Sequence, residues 1–216
     1  MKSQDLGLML KLICMQMQEQ ESKSFRKAWP HDWQDWDGGL AANQQGLWEW
    51  RNPYSTTARA AQYSARSLAH ETGISKSQIN LSLNRCVDTG LIRIERNSGI
   101  PKVNARNLYH FVVHGLRYVF PARAGSLTRG IATSFGAPVL QGKLHSAGEF
   151  QLVWPDAAGK TMGLAVEPLF KSVTYAVKRD PQLYSFLALL DAIRLGQPRE
   201  SNLAADLLKE QMEFGQ

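Results

Sequence analysis

One sixteen-residue stretch, Leu68-Ala69-His70-Glu71-Thr72-Gly73-Ile74-Ser75-Lys76-Ser77-Gln78-Ile79-Asn80-Leu81-Ser82-Leu83, constrains the fold more tightly than any other part of the chain. Two helices that cross closely need a small residue at the crossing, and Ala69 stands there. The sharp turn that follows needs a residue at ease in the left-handed region, and Gly73 supplies it. Apolar residues must then recur at helical spacing, as Ile74, Ile79 and Leu83 do. The pattern predicts a helix-turn-helix. A helix over 57–71 leads into the turn, and a second runs from Lys76 to about Thr89, with Ser75 as N-cap and Gly90 just past its end. Two strand-like pieces follow, Leu91–Arg96 and Ile100–Ala105. They are separated by Asn97-Ser98-Gly99, which reads as a hairpin turn.

The flanking regions are less uniform. Leu6, Met9, Leu10, Ile13 and Met17 predict an amphipathic helix over 4–18. Asp5 and Lys11 interrupt its apolar run and no small-residue cleavage site follows, so it reads as a helix and not a signal peptide. From 21 to 55 the periodicity fails. Five of the six tryptophans lie here, and Trp29, Trp33 and Trp36 share one face of a short predicted helix. They read either as aromatics folded back onto the domain or as a partner-binding patch. Residues 106–119 read as a helix. The Gly-rich stretch 121–149 has no aliphatic column in register with its glycines, so it reads as ordered loop with short strands at most. Phe150–Trp154 and Leu164–Phe170 are strand candidates. Two helices close the chain, one capped by Asp180-Pro181 and ending before Gly196, the other from about Pro198 to Glu213. The expected architecture is α+β and mainly helical. It divides into an N-terminal helix (1–20), a Trp-rich insertion (21–55), a winged helix-turn-helix (56–118) and a mixed, loop-rich C-terminal region (119–216) ending in two helices.

Charge matters once it is located. The chain of 216 residues carries a net +6, and residues 56–106 hold eight basic groups against three acidic ones. Most of the excess therefore sits in under a quarter of the chain, which suggests a polyanion partner. Cys14 and Cys86 are the only cysteines. They exclude a disulfide scaffold and a four-cysteine zinc site and suit a reducing, cytoplasmic location. No run of 18 apolar residues occurs, so no membrane span is expected.

The segment from about Thr56 to Leu116 resembles the winged helix-turn-helix of MarR-like bacterial transcription regulators. The likeness rests on Ser67–Gly73, Ile74–Arg85, the Gly90-Leu91-Ile92 exit and Asn97-Ser98-Gly99. Tyr118-Val119-Phe120-Pro121, Val153-Trp154-Pro155-Asp156 and Leu189-Leu190-Asp191-Ala192-Ile193-Arg194 look like segments of uncharacterised bacterial proteins carrying the same domain, which implies no activity. The Trp-rich insertion and the Gly-rich C-terminal half depart from the compact family pattern and its long dimerisation helices. The resemblance implies a sequence-specific regulator of double-stranded DNA, a repressor acting as a homodimer. With Ile79, Leu83 and Cys86 turned inward, the outer face of the second helix offers Lys76, Ser77, Gln78, Asn80, Leu81, Asn84 and Arg85. Gln78 and Ser77, near the helix start, are the expected base readers, and Arg85 the expected phosphate contact. Arg93, Arg96 and Lys102 flank the wing turn and are expected on phosphate or in the minor groove. The rival reading is an antitoxin-like or assembly protein whose winged domain and insertion bind a protein partner.

Catalytic patterns fail on inspection. In Ala158-Gly159-Lys160-Thr161 the first glycine of a phosphate-binding loop would fall at position 154, where Trp stands. His110 and His114 have metal-ligand spacing, but Phe111 replaces the glutamate that a zinc peptidase needs. Asp180, Asp191 and Glu200 read as a cap and solvated charges, and Cys86 as a small core residue. No enzymatic function, cofactor or metal is expected.

Overall fold

The computed structural model describes residues 1–21, 56–143 and 150–212. Helices account for about 56% of them and the strands form two small sheets, so the expectation of a mainly helical α+β chain holds. Helix α1 spans Ser3–Glu21, followed among the described residues by α2 (Thr56–Gln62), α3 (Ala65–Thr72) and α4 (Lys76–Asp88). Strands β1 (Ile92–Ile94) and β2 (Pro101–Val103) pair antiparallel, with Arg93 opposite Lys102. Then come α5 (Ala105–His114) and the single turn α6 (Leu116–Val119). The single helix expected over 57–71 is broken. Ser64 adopts extended backbone and caps α3 by accepting from the Ser67 amide, so the chain restarts its helix there.

The C-terminal half is more regular than its glycines suggest. Strand β3 (Ala124–Thr133) runs ten residues through a region expected to be loop. It pairs antiparallel with both β4 (Leu152–Pro155) and β5 (Thr161–Val166), while β4 and β5 pair parallel, closing a small three-stranded barrel. A short helix α7 (Val173–Val177) precedes the two long helices α8 (Pro181–Leu195) and α9 (Pro198–Met212). Asp180 caps α8 through the Leu183 amide with Pro181 in the first turn, as the sequence predicts.

Two helices are buried all round, and the first of them was expected to be amphipathic. Every residue of α1 from Asp5 to Cys14 is buried, and so is every residue of α8 from Leu183 to Arg194. A helix buried on all sides must be covered on all sides. α1 is covered by α3, α4, β2 and α8, which makes it the seam between the hairpin-bearing half and the C-terminal half. Gly7 permits one close approach, since a Cβ there would lie 2.3 Å from the ring of Phe170. The core is accordingly continuous, from Leu6 and Ile79 through Trp154 to Phe186 and Leu208.

Charged groups inside this core are paired, as burial demands. Lys11 donates to Asp180 at 2.8 Å and to Glu71 at 3.2 Å. Asp191, expected in solvent, is instead buried in the core. It accepts from Arg194 (2.8 Å), Thr133 (2.9 Å) and the Trp154 indole (2.7 Å), so three donors replace its water shell. Burial still pushes its carboxyl above the ordinary value, against the opposing pull of Arg194. Arg117 closes the end of α8 by donating to the carbonyls of Ile193 and Gly196. No described helix is long and apolar enough to cross a membrane.

Candidate nucleic-acid interface

The turn between α3 and α4 is built by short-range chemistry. Gly73 takes φ 69°, and its amide donates to the Ala69 carbonyl at 2.9 Å, ending α3 in a left-handed cap. The Thr72 hydroxyl donates back to Leu68 and accepts from the Ile74 amide, which fixes the exit. Ser75 then starts α4 by accepting from the Gln78 amide. From the other side α7 braces the turn: Ser172 donates to the Thr72 carbonyl at 2.8 Å and Tyr175 to the His70 carbonyl at 3.0 Å. Ile79, Ser82 and Cys86 face inward and Leu83 packs against the core.

With that face buried, the opposite face of α4 is left to solvent. Lys76, Ser77, Asn80, Leu81 and Asn84 are exposed, Leu81 to 49%. Gln78 is half-buried, and its side-chain carbonyl accepts from Gln4 of α1 at 2.9 Å. Arg85 lies on the same helix but turns away from the outer row. Its guanidinium forks onto Asp5 of α1, at 2.6 and 3.0 Å, and also donates to Ser82. Asp5 is fully buried, so the fork spends Arg85 on an internal charge where a phosphate contact was expected. Burial pushes the Asp5 carboxyl up, but the bonds from Arg85, the Lys2 amide and Ser82 outweigh it and hold the group below its ordinary value.

The hairpin stands beside this helix. Arg93 and Arg96 are exposed, and with Ile94, Glu95 and Lys102 they line a shallow open depression. Lys102 is drawn to Glu95 at 2.8 Å, which also accepts from Ser98 at 2.5 Å. These two donors, Lys102 first, hold the Glu95 carboxyl low. Of the eight basic groups in residues 56–106, three are therefore internally matched: Arg59 with Glu19, Arg85 with Asp5 and Lys102 with Glu95. Arg66, Lys76, Arg93, Arg96 and Arg106 are exposed and make no ion pair among the described residues. Five unmatched cations on α3, α4, α5 and the hairpin leave a local positive field.

Other groups singled out by sequence resolve differently. His110 and His114 are exposed and stack 6.1 Å apart, and no described cluster of three His, Cys, Asp or Glu side chains forms a metal site. Cys86 is buried, and desolvation pushes its thiol up to about 12. Lys160 lies in the turn before β5, with no glycine cradle preceding it. Trp29, Trp33 and Trp36 lie outside the described residues. The contacts of Asp5 and Gln4 escaped sequence reasoning, although a charge inside an apolar helical run is itself a signal that a buried partner must exist. No protein-family profile, curated protein or solved structure matches the chain. Function is therefore to be read from the surface.

Proposed function

We propose that this chain is a sequence-specific regulator of double-stranded DNA, a repressor that binds as a homodimer through a MarR-like winged helix-turn-helix formed by α3, α4, β1 and β2. The observation that carries the proposal is the exposed row Lys76, Ser77, Asn80 and Asn84, with Leu81 among them, lying beside a hairpin that presents Arg93 and Arg96 without an ion-pair partner among the described residues. Amides, hydroxyls and an aliphatic tip at the start of a helix are the groups that read base edges in a major groove, and flanking arginines hold phosphates. A two-fold dimer would set two such helices one turn of DNA apart. In this reading Lys76, Ser77, Gln78, Asn80, Leu81 and Asn84 address the bases, and Arg93, Arg96 and Arg106 address the backbone. Arg85 supports the helix from within, and Lys102 orders the wing through Glu95.

The test is a salt titration of wild type, Ser77→Ala and Arg96→Ala on a selected site and on random duplex. Ser77→Ala is expected to weaken the selected site alone. Arg96→Ala is expected to weaken both and to lower the salt slope by about one unit for each phosphate that it ceases to neutralise. Folded variants that both bind DNA like wild type would move the function to a protein partner, the antitoxin-like or assembly reading.

A further inference from the structure

A chain of four polar side chains runs from the interior to the base-reading face of α4, and each of its hydrogen bonds has only one possible direction. It starts at Asp5, fully buried on α1 and ionised against the Arg85 fork, so it can only accept. Ser82, also fully buried, stands beside Asp5 on the same Arg85 nitrogen, and a hydroxyl beside a carboxylate turns its proton toward it. Its single proton is then committed, and its oxygen can only accept. It does so twice, from Arg85 at 3.0 Å and from Gln4 at 3.2 Å. Gln4 must therefore turn its amide nitrogen inward, and that nitrogen also donates to the Gln78 carbonyl at 2.9 Å. The end of the chain is Gln78 with its oxygen used and its nitrogen turned outward. Gln78 Nε2 has no partner among the described residues and is not a buried unsatisfied atom, so it reaches solvent.

A free glutamine is ambidextrous: it can turn oxygen and nitrogen together toward adenine, which offers one donor and one acceptor. Here the choice has been made inside the protein. We infer that Asp5, Ser82 and Gln4 fix Gln78 as a hydrogen-bond donor only, so that it selects guanine, whose edge alone offers two adjacent acceptors, O6 and N7, over the mixed edge of adenine and the single acceptor of thymine. The inference rests on the DNA-binding reading above and adds the identity of the group that is read. Gln4, Ser82 and Asp5 are positioning residues, since none of them needs to touch DNA. The same internal wiring accounts for Arg85, whose fork keeps Asp5 ionised at the buried end.

The experiment selects bound duplexes from a randomised library with full-length wild type, Gln78→Ala, Gln4→Glu and Gln4→Ala, each first checked for folding by its thermal transition. Wild type is expected to enrich a position with guanine, and Gln78→Ala to erase that preference by on the order of tenfold or more while neighbouring positions persist. Gln4→Glu presents only an acceptor to Gln78, so the amide must turn its nitrogen inward and offer oxygen to the groove. The guanine preference at that one position is then expected to change to adenine or cytosine, whose amino groups donate. Gln4→Ala releases the amide, and adenine is expected to join guanine there. If Gln4→Glu misfolds, Gln4→Ala alone carries the test. Folded Gln4 variants that bind duplex DNA and keep the wild-type preference overturn the relay but leave the DNA-binding reading standing. Wild type that enriches no duplex overturns both.

Discussion

Lys11 is the sharpest test of how the two halves are joined, because it is a cation at 4% exposure in the middle of a covered helix. Its nearer partner, Asp180 at 2.8 Å, is itself only 3% exposed, and Glu71 at 3.2 Å is more open to solvent. Lys11→Met keeps the aliphatic stem and removes the charge, stranding the Asp180 carboxylate away from water. Removing one partner of a buried pair costs about 3–5 kcal/mol. For a chain of this size that corresponds to a fall in Tm of roughly 6–20 °C. The added change Asp180→Asn removes the stranded charge while keeping a side chain that caps helices well, so the double variant is expected to be more stable than Lys11→Met alone. Alkali supplies an independent arm. Burial disfavours the Lys11 ammonium, but Asp180 and Glu71 outweigh that and raise its pKa above the ordinary 10.5. A raised lysine contributes its full stability below 10.5 and loses it as pH climbs through the folded value. The difference between wild type and Lys11→Met should therefore hold steady through neutral pH and shrink only in strong alkali. Urea unfolding of the four proteins of the cycle measures all of this. A Lys11→Met protein within about 1 kcal/mol of wild type, or a double variant no better than the single one, would refute the reasoning.

Three further outcomes follow from local geometry. Asp5→Asn removes the ionic partner of Arg85, whose partial exposure limits the loss to about 1–2 kcal/mol; because the Asp5 carboxyl is held low, the difference from wild type should be complete above pH 4 and fade as the pH falls through the folded value, as urea melts at neutral and acid pH would show. Ser134 sits at φ 52° with a fully buried hydroxyl that finds no partner among the described residues, so Ser134→Gly is expected to raise stability by about 1–2 kcal/mol, and a lowered Tm would contradict that. Gly73→Ala forces a side chain into the left-handed region and sets its Cβ 2.8 Å from Ser172, so a loss of at least about 1 kcal/mol is expected in calorimetry, with faster amide exchange at the turn.

The parts of the fold that announced themselves are those decided within a few residues. Gly73, Ser75, Gly90 and the Asp180-Pro181 cap act on their own backbone, and each stands where its chemistry predicts. Strand β3 hid because its pairing is non-local: Gly130 lies opposite Pro155 and also opposite Thr161, and no periodicity within 121–133 encodes either partner. The break at Ser64 was available from its capping side chain, though it competed with an unbroken run of helix formers. On the candidate interface the exposed row of α4 was legible from spacing, since three inward positions define the outward ones. The turning of Arg85 was not. A guanidinium goes to the strongest acceptor within reach, and the buried Asp5 is 80 residues away in sequence.

The position of α1 also dictates an order of events during synthesis. It is made before every other described helix, yet Asp180, the nearer of the two carboxylates on Lys11, lies 169 residues further on at the start of α8. At ribosomal speeds that interval lasts on the order of ten seconds or more, during which the side of α1 that packs on α8 has no final resting place. The helix must wait, alone or under the cover of a chaperone, until the C-terminal half arrives to enclose it. A chain interrupted before Asp180 would therefore strand a sticky face on a helix that it had already finished building.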